Sequence, residues 1–268
     1  MIHEIYTHPW KFATKPFRIA GNLYYVGNAD VSAYLLDTGE GLILIDTAFP
    51  QTVYLVLESI RMLGFDPHDI THILHSHGHY DHFGGTKAIS ALIGAKTYLG
   101  AEDIFILKDR QELSWAPEYG IEFYEAFDVD FPVSDGSEVA LGRTTIECVG
   151  TPGHTPGALS FFFEVQDNGK PYRVGMHGGP GLNTLSDAYL AKYNLPRDNR
   201  TRYMQSLVKL REQHVDIFVG IHPNQSDVIG KSKRAKDGAP NPFIDPRCWT
   251  QFLDGLETNA RTTFGERP

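Results

Sequence analysis

Cysteine is nearly absent from this chain: Cys148 and Cys248 are the two among 268 residues. Two, set far apart, form neither a disulfide framework nor a metal knuckle, so a reducing, cytoplasmic setting suits the chain as written. Long apolar runs are missing as well, the longest being strand-sized against the roughly eighteen residues a membrane-spanning helix needs, which excludes a membrane span. Positive charge is the minority, 24 Lys and Arg against 33 Asp and Glu, for a net charge of −9. No run of five basic residues occurs to neutralise a phosphate backbone, so nucleic acid is not an expected partner. The cluster Lys231, Lys233, Arg234 and Lys236 reads as a solvated loop at least as readily as a binding patch. The stretch from Met1 to Phe17 has no apolar core of signal-peptide length, so a periplasmic or secreted location is expected only if a leader has been removed. Low-complexity segments and repeats of fixed period are absent too, and with 41% hydrophobic and 21% charged residues the chain reads as one globular domain, 1–268.

What is present is an ordered alternation of elements. Leu23 to Val26, Val31 to Leu36 and Leu42 to Ile45 read as a meander of short strands, with Gly39 and Gly41 in the last turn. Pro50 opens a helix in which Val53, Leu57 and Ile60 share a face, ending near Gly64. Ile70 to Leu74 is then a strand and Thr86 to Ile93 a helix. The stretch from Ala101 to Asp135 reads as irregular and aromatic, the kind of segment that covers a core or roofs a pocket. Strands resume at Thr144 to Val149, Leu159 to Val165 and Tyr172 to Val174, followed by a helix around Tyr203, Leu207 and Leu210, the strand Ile217 to Val219, and a last helix from Asp245 to about Thr263. Two halves that each combine strands with helices predict sheets covered by helices in an α/β or α+β layered fold.

Four of the twelve histidines fall in the stretch HSHGHYDH, residues 75–82. His77 and His79, two apart, project to the same side and can share one metal ion, while Asp81 and His82 follow where they can aim at a second. A metal needs further ligands from elsewhere in the chain. His154, in TPGHTPG, and His222, in GIHPNQ, each follow directly on a predicted strand, the place where layered α/β scaffolds gather functional groups. His72 and His75 read as structural, His214 as a partner of a helix dipole, and His3, His8 and His68 carry no signal. Asp46 closes a buried strand at the same edge and reads as a group bonding a ligand or its loop, with a plain turn residue as the alternative. Trp115 and Tyr119 wall an apolar substrate or fill aromatic core, and His177 lies near the expected pocket.

These motifs carry a resemblance. The stretch PFRIAGNLYYVGNADVSAYLLDTGEGLILIDTAF with HSHGHYDHFGG, TPGHTPG, IHP and NPFIDPRCW resembles the metallo-β-lactamase superfamily over most of its length, and in detail the third subclass of metallo-β-lactamases. The resemblance implies a four-layer αββα sandwich with two zinc ions at one edge. It assigns His77, His79 and His154 to one zinc, and Asp81, His82 and His222 to the other. The subclass follows partly from GMHGGPG, residues 175–181, which has neither the Asp nor the Cys that other members carry there. It departs from that subclass at Gly178 and Gly179, where serines that seat a substrate carboxylate are usual, so a serine at 178 is expected to improve binding of carboxylate-bearing β-lactams.

The implied activity is hydrolysis of a β-lactam by water activated between two zinc ions, with Asp81 orienting the nucleophile. The expected partner is a small molecule; the oligomeric state is open. Alternatives with the same metal chemistry are an intracellular lactone or thioester hydrolase and a nuclease, the latter disfavoured by the acidic charge. An iron-dependent oxidoreductase is a further reading, opposed by His79 where diiron flavoproteins of the superfamily carry Glu.

Overall fold

The computed structural model describes residues 4–236 and 238–265; His3 lies outside them. Among the described residues, twelve strands form two sheets. The first runs in the order β1 (Phe17–Ala20), β2 (Leu23–Tyr25), β3 (Tyr34–Asp37), β4 (Leu42–Ile45), β5 (Ile70–Leu74), β6 (Lys96–Gly100) and β7 (Phe131–Val133). Its first four strands pair antiparallel as hairpins, and β4 to β7 pair parallel. The second sheet has the order β12 (Ile217–Phe218), β11 (Lys170–Met176), β10 (Leu159–Asp167), β9 (Thr144–Gly150) and β8 (Ser137–Leu141), antiparallel except for β11 with β12.

Period-two alternation decides the layering. In β4, Ile43 and Ile45 join Leu74 and, from the other sheet, Ile146, Phe161, Phe163 and Met176 in a core between the sheets. Leu42 and Leu44 point the opposite way, onto Val56, Leu57 and Ile60 of the helix Val53–Met62 and Ile89 of the helix Thr86–Ile93. In β10, Phe162 turns away from its neighbours Phe161 and Phe163 to meet Leu207, Leu210, Trp249 and Leu253 on the helices Asp198–Arg211 and Arg247–Phe264. The layers are therefore helix, sheet, sheet, helix. No helix among the described residues is long and apolar enough to cross a membrane.

The stretch expected to be irregular, 101–135, holds the helix Ile104–Lys108, several 3-10 turns and strand β7. Its aromatic residues do form a core: Tyr124 and Phe127 pack with Phe49, Tyr80, Phe83 and Leu99 over the end of the first sheet.

Candidate metal centre

The site is built where β4, β5, β9, β11 and β12 all end, at one edge of the two sheets. After β5 the chain bends through 76–78 and enters the one-turn helix Tyr80–Phe83, which carries Asp81 and His82. After β9 it turns through 151–157 with His154 at the tip, and after β12 it reaches His222, which caps the turn Pro223–Ser226. The rims are tied together: the Leu159 N–H, from the second sheet, donates to the Ser76 carbonyl at 2.8 Å.

Six side chains converge. One nitrogen from each of His77, His79 and His154 forms a group in which all three atoms lie within 4.8 Å of one another, and atoms of Asp81, His82 and His222 form a second such group. His154 Nε2 and His79 Nδ1 are 3.1 Å apart, and His77 Nε2 is buried with no hydrogen-bond partner. Asp81 Oδ2 lies 3.3 Å from His82 Nε2 and 3.6 Å from His222 Nε2. Basic nitrogens crowded together out of water leave lone pairs unsatisfied, a cost that a bound cation removes. The donor set of imidazoles and one carboxylate therefore fits a dinuclear metal site.

Four of the five rings have a partner on their opposite edge; His79 Nε2, buried, has none. His154 Nδ1 faces the Gly181 carbonyl at 2.9 Å and His222 Nδ1 the Asp30 carbonyl at 2.8 Å. His82 Nδ1 faces Asp46 Oδ2 at 2.9 Å, and His77 Nδ1 faces the Ser76 hydroxyl at 3.1 Å, which itself donates to Asp46 Oδ2 at 2.7 Å. In a neutral ring an acceptor at Nδ1 keeps the proton there and leaves Nε2 with its lone pair directed into the cluster. Asp46 is thus no plain turn residue. Its backbone sits at φ +58°, the left-handed region that Asp tolerates better than most residues, and this turns its carboxylate back onto Ser76 and His82.

Electrostatics prepare the two groups differently. Burial, reinforced by neighbouring imidazoles, holds His77 and His79 well below the usual histidine range and brings His154 down to about 4, so these three are neutral at physiological pH. Burial opposes protonation of His82 too, but the carboxylates of Asp81 and Asp46 outweigh it and hold it up at about 10. Burial likewise opposes ionisation of Asp81, yet His82, His222 and His79 keep it far below the carboxylate range.

All six donors line one recess. Trp115, Tyr119, Gly181, Asn183, Ile221 and Gln225 complete its wall. Trp115 is held at φ +65°, a strained conformation for a bulky residue, with its ring stacked 5.1 Å from Tyr189. Burial first, then the nearby charges of Asp81 and Asp30, keep the Tyr119 hydroxyl protonated, and it hydrogen-bonds with Asp81.

Besides Asp46, three candidates fall outside that lining. His177 is buried; its Nδ1 accepts from the Gly179 N–H at 3.3 Å, and burial followed by the His154 charge brings it down to about 3. Gly178 and Gly179 are buried beside it, and a Cβ on Gly178 would sit 1.8 Å from the Leu159 carbonyl oxygen. The expectation that a serine at 178 improves substrate binding is corrected on this ground: backbone occupies the space it needs. His72 and His75 are structural, His75 bridging the Tyr98 carbonyl at 2.7 Å and the Thr86 hydroxyl at 2.6 Å, while His72 stacks on Tyr98. His214 lies beyond the helix end at Arg211 and pairs with Asp216 at 3.0 Å, so the helix-dipole role is corrected as well.

Sequence reasoning missed Asp103. Fully buried, it accepts from the Gly78 N–H at 2.8 Å, the Thr155 hydroxyl at 2.7 Å and the Gly157 N–H at 2.6 Å, strapping the loop of His77 and His79 to the loop of His154. A lone carboxylate in AED, residues 101–103, has no spacing that announces this.

Comparison with known proteins agrees with this geometry. Residues 26–167 match the sequence profile of the Metallo-beta-lactamase superfamily. The chain is similar to FEZ-1, a metallo-beta-lactamase from Legionella gormanii, with 32% identity and a TM-score of 0.86 over 94% of this chain and 96% of that one. It is similar to BJP-1, a subclass B3 metallo-beta-lactamase of Bradyrhizobium japonicum, with 30% identity and a TM-score of 0.85 over 96% of each chain. An N-acyl homoserine lactonase of Bacillus thuringiensis is 25% identical in a 166-residue alignment that covers 53% of this chain and 61% of the lactonase. The chain thus spans about three fifths of the length of that curated relative.

Proposed function

The chain belongs to the metallo-beta-lactamase superfamily, and from that premise we propose that it is a dinuclear zinc hydrolase, one domain over residues 1–268, that opens the cyclic amide of a β-lactam. The observation that carries this reading is the pair of three-donor groups, His77, His79 and His154 beside Asp81, His82 and His222, lining a single cavity. Neutral imidazoles with one carboxylate suit zinc over magnesium or calcium, which take oxygen ligands. Two zinc ions supply a water activated at neutral pH and a Lewis acid for the scissile carbonyl.

The chain's own groups do the rest. Asp81 is ionised at any working pH, so its carboxylate accepts a hydrogen bond from the attacking water and orients it. Tyr119, protonated, donates to Asp81 and keeps that carboxylate in place. Asp46, Ser76 and the Gly181 and Asp30 carbonyls prevent the imidazoles from rotating. Trp115, its ring near His79, walls the substrate on one side. A second, shallow recess shares His79 and His154 with the first and is lined by Phe105, Ile106, Leu113 and Leu195, which suits an apolar substituent on the substrate.

Two full-length likenesses to metallo-beta-lactamase structures favour the β-lactam. The partial likeness to a lactonase supports a second reading, hydrolysis of a lactone with the same donors. Turnover of a chromogenic cephalosporin by the zinc-loaded protein, run beside acyl-lactone and thioester panels, separates them. No cephalosporin hydrolysis together with lactone opening discards the first reading and retains the second.

A further inference from the structure

Away from the metal centre, one buried amine has a sulfur for its partner. Lys231 lies on the helix Val228–Arg234 and is 6% exposed. Its Nζ donates to Cys248 Sγ at 3.6 Å, and among the described residues no carboxylate pairs with it. Desolvating an ammonium without a paired carboxylate is costly, so a lysine buried in this way is either compensated by its thiol partner, which also hydrogen-bonds the Asp245 carboxylate, or used by it. That neighbour is chemically unusual. Cys248 is a free thiol in the first turn of the helix Arg247–Phe264, only partly buried, and so within reach of a small oxidant. Partial exposure beside a lysine is the environment in which thiols are reactive.

We propose that Lys231 and Cys248 form a redox modification site, in which hydrogen peroxide converts the contact into a covalent nitrogen–sulfur bond. In the first step the thiol of Cys248 is oxidised to a sulfenic acid: Cys–SH and H2O2 give Cys–SOH and H2O, with the peroxide reduced. In the second the Lys231 nitrogen attacks that sulfur. The S–O bond breaks, and Lys–NH3+ with Cys–SOH gives Lys–NH–S–Cys, H2O and H+. The 3.6 Å gap is closed by side-chain rotation, since Lys231 has four rotatable bonds. A sulfenic acid with a nitrogen at hand condenses to a sulfenamide in preference to climbing to the irreversible sulfinic acid, so the amine protects the thiol and the link is opened again by a thiol reductant. The bond joins the helix that follows the His222 turn to the C-terminal helix and involves none of the six donors. Cys148, fully buried between the sheets, has no part in it.

The test is peptide mass spectrometry of the full-length, zinc-loaded protein after brief exposure to hydrogen peroxide. The expected product is lighter than the reduced protein by about 2 Da and contains a cross-linked peptide joining Lys231 to Cys248, lost on treatment with dithiothreitol. In Lys231→Met, which keeps the buried stem, the link is absent and Cys248 proceeds to the sulfinic acid, a gain of about 32 Da. The proposal is overturned if wild-type Cys248 gains oxygen with no cross-linked peptide or stays unmodified. It is equally overturned if the lighter product maps to Cys148, or if it forms unchanged in Lys231→Met.

Discussion

Asp46 Oδ2 lies 2.9 Å from His82 Nδ1, and the same carboxylate takes both the N–H and the hydroxyl of Ser76, at 2.8 and 2.7 Å. One side chain therefore sets the ring of a donor in the second group and, through Ser76, the ring of His77 in the first. An amide in its place keeps the size but puts two N–H donors where two or more donors already point. Asp46→Asn is expected to remain folded while its zinc affinity falls about 10–100-fold, the usual consequence of losing a group that orients a ligand. Competition against a chromogenic chelator measures this; wild-type affinity in the variant would show that Asp46 only closes a turn.

Gly178→Ser tests the tight backbone beside the site. Since a Cβ there meets the Leu159 carbonyl oxygen at 1.8 Å, neither rotamer choice nor a neighbour's side chain relieves the clash. The expected cost is about 3 kcal/mol, the upper end for forcing atoms into a filled interior. It reads out as a lower urea midpoint of the zinc-loaded protein. An unchanged midpoint with better binding of a carboxylate-bearing β-lactam would restore the role first expected for this position.

How much of this was legible beforehand varies by residue. β4 and β5, at Leu42–Ile45 and Ile70–Leu74, and the helix Thr86–Ile93 match their predicted limits, because apolar side chains facing two layers leave continuous or periodic runs. Strand β8, Ser137–Leu141, was not visible: it is an edge strand with Val139 as its one buried residue. Strand β6, Lys96–Gly100, escaped for a related reason, since its first residue is exposed and a glycine ends it. The six side chains that converge stand out in the sequence because HSHGHYDH is dense and the two remaining histidines follow strands. Asp103 and the crowding at Gly178 arise from contacts distant in sequence, which composition and periodicity do not encode.

Asp103 gives the pH prediction. Burial lifts its carboxyl from 3.8 to about 6, against the pull of Thr155, Gly157 and Gly78. The folded state thus holds its proton more tightly than the unfolded chain. The associated stability is complete below pH 3.8 and is lost as the pH rises through about 6, an effect on the order of 3 kcal/mol. The buried neutral histidines act in the opposite direction, so the comparison with Asp103→Asn isolates the carboxyl. The urea-unfolding free energy of metal-free wild type minus that of the variant should fall between pH 4 and 6, on the order of a few kcal/mol, and level off above about 7. A difference that is flat or rises with pH contradicts the assignment.

Removing one donor from each group separates two metal sites from one. His154 belongs to the group with His77 and His79, while His222 faces Asp81 and lies outside that group. If each group holds its own ion, His154→Ala and His222→Ala should each bind one zinc where the wild type binds two, and the double variant should bind neither tightly. The two single variants should also differ in pH dependence. With His222→Ala the remaining site consists of imidazoles that burial already keeps neutral, so it should fill down to mildly acidic pH. With His154→Ala the remaining site needs His82 to release a proton held with a pKa of about 10, so its zinc affinity should rise more steeply with pH. Elemental analysis after gel filtration at pH 6 and pH 8 measures both effects. Loss of both ions from either single variant would mean that the six residues form one cooperative centre instead of two separable sites.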